Sequence, residues 1–315
     1  MSQGSTTSDD TGGYILYHYT PNKGAAILFT ILILIGVFSA SCVLYLTAHR
    51  TLVGRSANLN RSSSTDRGSE KKLRKSNIVC SHIPFFVGCL LEAAGYISRI
   101  ISSDDKQALT PFIIQSVLLL IAPAFYAATI YMLFGRLLLT LQCEKLMLVS
   151  DRFGTTFFVM GDVISFILQA AGGGIMATAN GRVTGSHLAV SGLATQIAFF
   201  GFFILNEIQF TAKVHRVCPF YWKISRKWLI FNLSLIISSL FIMVRSIVRL
   251  IEFIEGSNGF IISHEVFIYV FDATPMFLTA VTFCIGSYYG NLFKTIAECR
   301  EFSNKNNLET LNLKP

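Results

Sequence analysis

Seven stretches of this chain are apolar for long enough to cross a lipid bilayer, and that arrangement leaves few folds open. A bilayer core of about 30 Å needs about 20 apolar residues in a helix. Segments 24–48, 78–98, 111–135, 154–178, 187–210, 228–250 and 265–290 each reach that length. The first, GAAILFTILILIGVFSASCVLYLTA, carries no charge and follows a polar stretch of 23 residues. It is too long for the core of a signal peptide, so a true span with no cleaved leader is expected. Charged residues make up 14% of the 315, against roughly 25% in average soluble domains. That is too little to wet the surface of a globule. The expected fold is all-α, a seven-helix membrane bundle over 24–290, with a tail at 1–23 and another at 291–315.

The sparse charge is lopsided, with a formal net charge of +8 and a pI near 9.2. A basic balance fits nucleic acid or a membrane protein with basic cytoplasmic loops. The chain is too apolar for the first, so no nucleic-acid partner is expected. Segments 49–77, 136–153, 211–227 and 291–315 hold 20 of the 26 Lys and Arg, while the opposite side holds 4. The positive-inside rule then predicts an outside N-terminus and a cytoplasmic C-terminus. The long loop 49–77 is basic and Ser-rich, which predicts a flexible segment resting on the anionic inner leaflet. Phosphates on Ser62, Ser63 and Ser64 would offset the attraction of Lys71, Lys72, Arg74 and Lys75 for that leaflet, a candidate regulatory switch.

Motifs narrow the chemistry mainly by exclusion. All seven cysteines fall in spans or on the predicted cytoplasmic side, so no extracellular disulfide is expected. Neither sequon, at Asn60 or Asn232, lies where a glycan would be attached. No Cys/His metal spacing, phosphate-binding Gly loop or nucleophile elbow occurs, so neither enzyme activity nor a metal or other cofactor is expected. Seven spans with the N-terminus outside also fit a receptor. However, span three ends FGR without Asp-Arg-Tyr, span seven lacks Asn-Pro-x-x-Tyr, and residues 265–290 contain no Lys for retinal. Only a divergent receptor remains open.

Polar side chains within a bilayer are costly and mark a pathway or a structural pair. Counting from span ends places Glu92, Gln115, Gln169, Gln196, Arg245, Arg249 and Asp272 in one outer-half layer. Arg245, Arg249 and Glu252 recur at i, i+4 and i+7, on one side of span six. The simplest pairing joins Arg245 or Arg249 to Glu92 or Asp272, because an unpaired buried ion is too expensive. Such a layer is either an interhelical clamp or the polar end of a cavity for an amphiphile's head group; a proton relay is a third reading. Arg99, Arg136, Glu252 and Glu265 lie at span ends as structural ion pairs or caps. Nearer the cytoplasm, Asp162 shares a face with Gln169 and is a candidate translocation residue, whereas Glu207 is expected to reach Lys213 or Arg216. Pro123 and Pro275 predict kinks that free carbonyls, and the run Gly172 to Gly174 predicts close packing or a local break. His82, His187 and His264 read as packing or interface residues.

Several blocks carry a likeness to a known family: YHYTPNKGAA at 17–26, EAAGYISR at 92–99, QSVLLLIAPAFYAATIYMLFGR at 115–136 and GDVISFILQAAGGG at 161–174. SGLATQIAFFGFF at 191–203 and VRSIVRLIEFIEGSNGFIISHEVFIYVFDATPMF at 244–277 continue it. In this order they resemble the fungal lipid-translocating exporters, the aminocholesterol-resistance-like seven-transmembrane proteins. The resemblance implies a role in resistance to toxic amphiphiles and in moving lipid-like compounds, sterol-like or sphingoid-like, with membrane lipids and amphiphilic small molecules as partners. The expected location is the plasma membrane, with endoplasmic reticulum or vacuole as alternatives. A sensor of lipid stress is the competing reading.

Overall fold

The computed structural model of the chain describes residues 23–55, 79–104, 109–141, 151–176, 181–217, 227–255, 265–290, 292 and 294–295. Helices α1 (Lys23–Arg55), α2 (Ile83–Asp104), α3 (Leu109–Leu141) and α4 (Asp151–Met176) come first. They are followed by α5 (Arg182–Val217) and α6 (Lys227–Glu255). The last helix, α7, runs over 265–290 in three pieces: an α-helical turn Glu265–Ile268, a π-helical turn Tyr269–Ala273 and an α-helix Thr274–Gly290. Seven of these segments are long and apolar enough to cross a membrane. Among the described residues every regular element is helical, and the protein is a multi-pass membrane protein.

Contacts between helices fix their directions. Phe29 of α1 stacks on Tyr96 of α2 and Tyr269 of α7, while further along α1 Ser39 lies 3.6 Å from Cys284 of α7 and Ala40 lines a cleft with Phe86 of α2. Advancing along α1 thus retreats along α2 and advances along α7. Glu207 of α5 meets Ser239 of α6, and one turn further along α5 Thr211 meets Asn232. The helices therefore alternate in direction. Each packs on its chain neighbours, α7 closes back onto α1, and α3 additionally touches α6. The central position of α3 shows in its burial: 56% of its apolar window is enclosed, against 22% for α1. The end of the bundle where α1 begins is called here the near end, and the other the far end.

Outward positions are mostly apolar. Ile31, Ile35 and Phe38 on α1, Met160 and Ile167 on α4, and Leu205 on α5 are exposed. Polar groups turn inward, where backbone and side-chain partners replace the water that a bilayer lacks. Hydroxyls mid-helix bond back to their own turn, as Thr30 does to Ala26, Thr140 to Arg136 and Ser246 to Ile242.

One sequence expectation shifts here, and another resolves to one of its two alternatives. The second span begins at Ile83 instead of 78, because Pro84 suits the first helical turn, where its missing N–H is one of the unpaired donors anyway. The helix then runs on to Asp104, so Glu92 sits near its middle and not six residues from its end. The glycine run does not break α4, which continues to Met176. Gly172 alone makes the close approach: a Cβ there would lie 2.6 Å from the Ala189 nitrogen and the Gly185 oxygen of α5. Gly173 and Gly174 face open space. Gly172→Ala should therefore destabilise the fold by about 1–3 kcal/mol through overpacking. Gly173→Ala should be neutral or slightly stabilising through helix propensity. The temperature at which the detergent-solubilised protein loses its monodisperse elution peak measures both.

Candidate functional site

The deepest charges gather where α3, α6 and α7 meet in the near half. Pro123 lies inside α3, which nevertheless remains one continuous helix. A proline has no N–H, so the carbonyl four residues back, that of Leu119, loses its helical donor. Arg245 of α6 supplies the replacement, its Nη2 donating to the Leu119 oxygen at 2.6 Å. The same guanidinium forms an ion pair through Nε with Asp272 Oδ1 of α7. One side chain thus answers a backbone defect in one helix and a carboxylate in another.

Asp272 holds a second arginine. Arg249 Nη2 donates to its Oδ2 at 2.9 Å, and Arg249 Nη1 reaches Glu252 at 3.1 Å. Asp272 stands in the π-helical turn of α7, just ahead of Pro275. The Thr274 hydroxyl donates to the Tyr269 carbonyl, five residues back, at 2.8 Å. This wide turn is the local distortion that places a carboxylate between two arginines, a use typical of π-bulges at functional positions. Arg245 and Asp272 are buried, whereas the Arg249 side chain retains 20% exposure.

Around this core lie aromatic hydroxyls. Arg99 of α2 donates through Nε to Tyr269 Oη at 3.1 Å, and its guanidinium sits 5.4 Å from the centre of that ring. Glu92 is buried, and Tyr126 of α3 donates to its Oε2 at 2.8 Å. The Tyr126 oxygen is also 3.0 Å from the Cys89 sulfur. Glu92 is near enough to Arg245 and Asp272 to interact electrostatically with both, but among the described residues it forms an ion pair with neither arginine.

The expected layer is therefore two assemblies. Arg245, Arg249, Glu252 and Asp272 come together, with Glu92 and Arg99 beside them. Gln169 and Gln196 instead bond to each other at 3.0 Å between α4 and α5. Gln115 is buried on α3, and Arg136 is half-buried. Asp272, not Glu92, takes both arginines. The Glu265 side chain and Ser62 to Ser64 lie outside the described residues. Glu207 departs from expectation: fully buried, it accepts from Ser239 at 3.4 Å instead of meeting Lys213 or Arg216. Asp162 accepts from Tyr131 at 3.0 Å.

Pro123 and Pro275 are expected to free carbonyls at kinks; the carbonyl freed on α3 accepts from Arg245. His82 is a packing residue, its ring 5.6 Å from Phe283. Asn232 is buried and bonds to Thr211 at 2.7 Å, which leaves no room for a glycan. Cys42, Cys80, Cys89 and Cys284 are free thiols. No group of metal-ligating side chains occurs among the described residues. Sequence depth alone does not flag Tyr126, Tyr269 or Ser239; a tyrosine or serine facing a span acid at equal depth is the signal that would.

The fold and site define a class: a seven-helix membrane protein with a charge-paired polar layer buried in one half. Residues 85–296 match the family described as RTA1 like protein, and the chain belongs to that family. It is 53% identical to Protein RTM1 of Saccharomyces cerevisiae, over 93% of this chain and 98% of that one. It is equally 53% identical to Protoporphyrin uptake protein 1 of the same organism, over 94% of this chain and all of that one. At greater distance, the Sphingoid long-chain base transporter RSB1 of Saccharomyces cerevisiae is 26% identical over 64% of this chain and 63% of its own length. No solved structure matches the chain.

The Pro123–Arg245 relation gives a direct test. Arg245→Met leaves Asp272 with one arginine fewer and the Leu119 carbonyl bare, and should destabilise the protein by about 3–5 kcal/mol. Pro123→Ala restores an N–H to that carbonyl, so in the Arg245→Met background it should recover about 0.5–1.5 kcal/mol. A double-mutant cycle on thermal unfolding in detergent measures the coupling; no coupling would mean the two residues act independently.

Proposed function

We propose that this protein translocates amphiphilic, lipid-like compounds across a membrane and so protects the cell from toxic ones. The observation that carries this reading is the charged layer buried within seven apolar helices, in a chain whose relatives are named for protoporphyrin uptake and sphingoid base transport. Both named compounds join a large apolar body to a small ionised group: protoporphyrin carries carboxylates and a sphingoid base an amine. The near-half layer presents both signs. Asp272 is occupied by two arginines, so the carboxyl suited to an amine is Glu92, which has Tyr126 as its partner. Arg249, the more exposed of the two arginines, suits a carboxylate. Gln115, Asp162, Gln169 and Gln196 are further polar stations along the bundle.

The charge distribution of the loops supports a near end that faces outside and a far end in the cytoplasm, with the plasma membrane as the setting. In that orientation the basic loop 49–77 lies against the anionic leaflet, and Ser62 to Ser64 are placed to weaken that contact when phosphorylated.

The test is purified protein in liposomes with a labelled long-chain base, following bilayer crossing and equilibrium binding together. Wild-type protein should accelerate crossing saturably. Glu92→Gln should raise the half-saturating concentration about tenfold, the equivalent of about 1.4 kcal/mol of lost amine binding. Binding without crossing would instead support a lipid sensor, and unchanged concentration dependence in Glu92→Gln would remove Glu92 from the head-group site.

A further inference from the structure

The far half of the bundle contrasts with the near half in its charge balance. Asp162 on α4 and Glu207 on α5 are 5% and 0% exposed. Tyr131 of α3 bonds to Asp162 and is close enough to Glu207 to interact with it electrostatically. Ser239 of α6 donates to Glu207. Among the described residues no Lys, Arg or His forms an ion pair with either acid, and Tyr131 is the one other titratable group interacting with both. Asp162 Oδ1 and Glu207 Oε1 are each buried without a hydrogen-bond partner, as are Asn206 Oδ1, next to Glu207 on α5, and Ser238 Oγ, next to Ser239 on α6.

An isolated carboxylate in a low-dielectric interior is penalised by several kcal/mol even after relaxation. Where no cation offsets that penalty, a bound proton removes the charge. Aromatic rings enclose Tyr131: it packs edge-on to Phe203 at 4.5 Å, and Phe158 and Phe200 complete the cluster. The hydroxyls of Tyr131 and Ser239 can donate to a carboxylate or accept from a carboxyl, so each acid keeps a partner as its proton leaves and returns. Intramembrane acids lacking a counter-ion are the groups from which proton relays are built.

We infer that Asp162, bonded to Tyr131, and Glu207, bonded to Ser239, form a proton-carrying site, through which a transmembrane proton gradient drives the movement of the amphiphile. This rests on the translocation reading for its coupling part, while the proton site itself stands apart from it. The balance is simple: a proton is taken up by a carboxylate when the site communicates with one side and released from the carboxyl on the other, with no oxidant, reductant or nucleotide consumed.

Infrared difference spectra of purified full-length protein across a pH titration read the neutral carboxyl stretch directly. Wild-type protein should show a titrating neutral-carboxyl band, reduced in both Asp162→Asn and Glu207→Gln, with circular dichroism confirming the helical fold. A band unchanged in both variants overturns the site. In liposomes, an imposed proton gradient should accelerate wild-type amphiphile movement severalfold, and in Glu207→Gln the ratio of rates with and without the gradient should fall to about one. A ratio that stays at the wild-type value, or a sodium gradient that replaces the proton gradient, overturns the coupling. Wild-type protein that shows the titrating band but moves no amphiphile overturns the translocation reading and leaves the proton site supported.

Discussion

Arg245 is the residue on which the interior of this bundle turns. Pro123 removes a donor from the middle of α3, and a bare carbonyl inside a bilayer has no water to fall back on. The guanidinium that fills the gap arrives on α6, already committed to Asp272 on α7. Its several donors on one rigid plane allow both contacts at once, which a lysine's single nitrogen, on a flexible stem, would not match. The π-helical turn at Tyr269–Ala273 completes the arrangement by setting Asp272 where two arginines reach it. Three helices are locked by what would otherwise be three separate liabilities: a proline, a buried cation and a buried anion.

The remaining helices attach to this core by different physics. Tyr269, next to the charged cluster, bonds to Arg99 of α2 and stacks on Phe29 of α1 at 5.5 Å. Helices α4 and α5 meet through glycine, with the backbone of Gly185 and Ala189 filling the space a side chain at Gly172 would need. In the far half, Tyr131, Phe134, Phe158, Phe203 and Phe210 interlock edge to face. Aromatic mass thus does in the far half what ion pairs do in the near half, and among the described residues the two acids there form no ion pair.

Sequence carried the architecture because length and apolarity are enough to define a span, and the buried ions were legible because charge within a span is conspicuous. What it did not carry was azimuth. Depth places Glu92, Asp272, Arg245 and Arg249 at comparable levels, but the angle at which each leaves its helix decides the partners. The π-helical turn alters that angle at Asp272 in a way no regular periodicity encodes. The later start of α2, at Ile83, leaves Glu92 at mid-helix, opposite Tyr126 and beside Arg245 without forming an ion pair with it. Glu207 shows the same limit, since a nearby lysine in sequence cannot outcompete a serine that already faces the carboxyl across the α5–α6 seam. Gln169 and Gln196 shared a depth with the charges, yet the glycine-mediated approach of α4 and α5 gave them to each other.

The seams of the ring differ in what their opening would require. Apolar and aromatic contacts between α1 and its neighbours can be exchanged for lipid tails with small net change, because inside a bilayer there is no hydrophobic drive holding two apolar helices together. Parting α6 from α7 is a different event: it separates Asp272 from two arginines in surroundings that cannot solvate any of them. Parting α3 from α6 exposes the Leu119 carbonyl as well. Resistance to opening is therefore concentrated around Arg245, while the least buried helix, α1, is held chiefly by side-chain stacking. The translocation proposed above fits that division: the tail of an amphiphile would replace contacts at the yielding seam, and its ionised head would meet the charges that stay fixed.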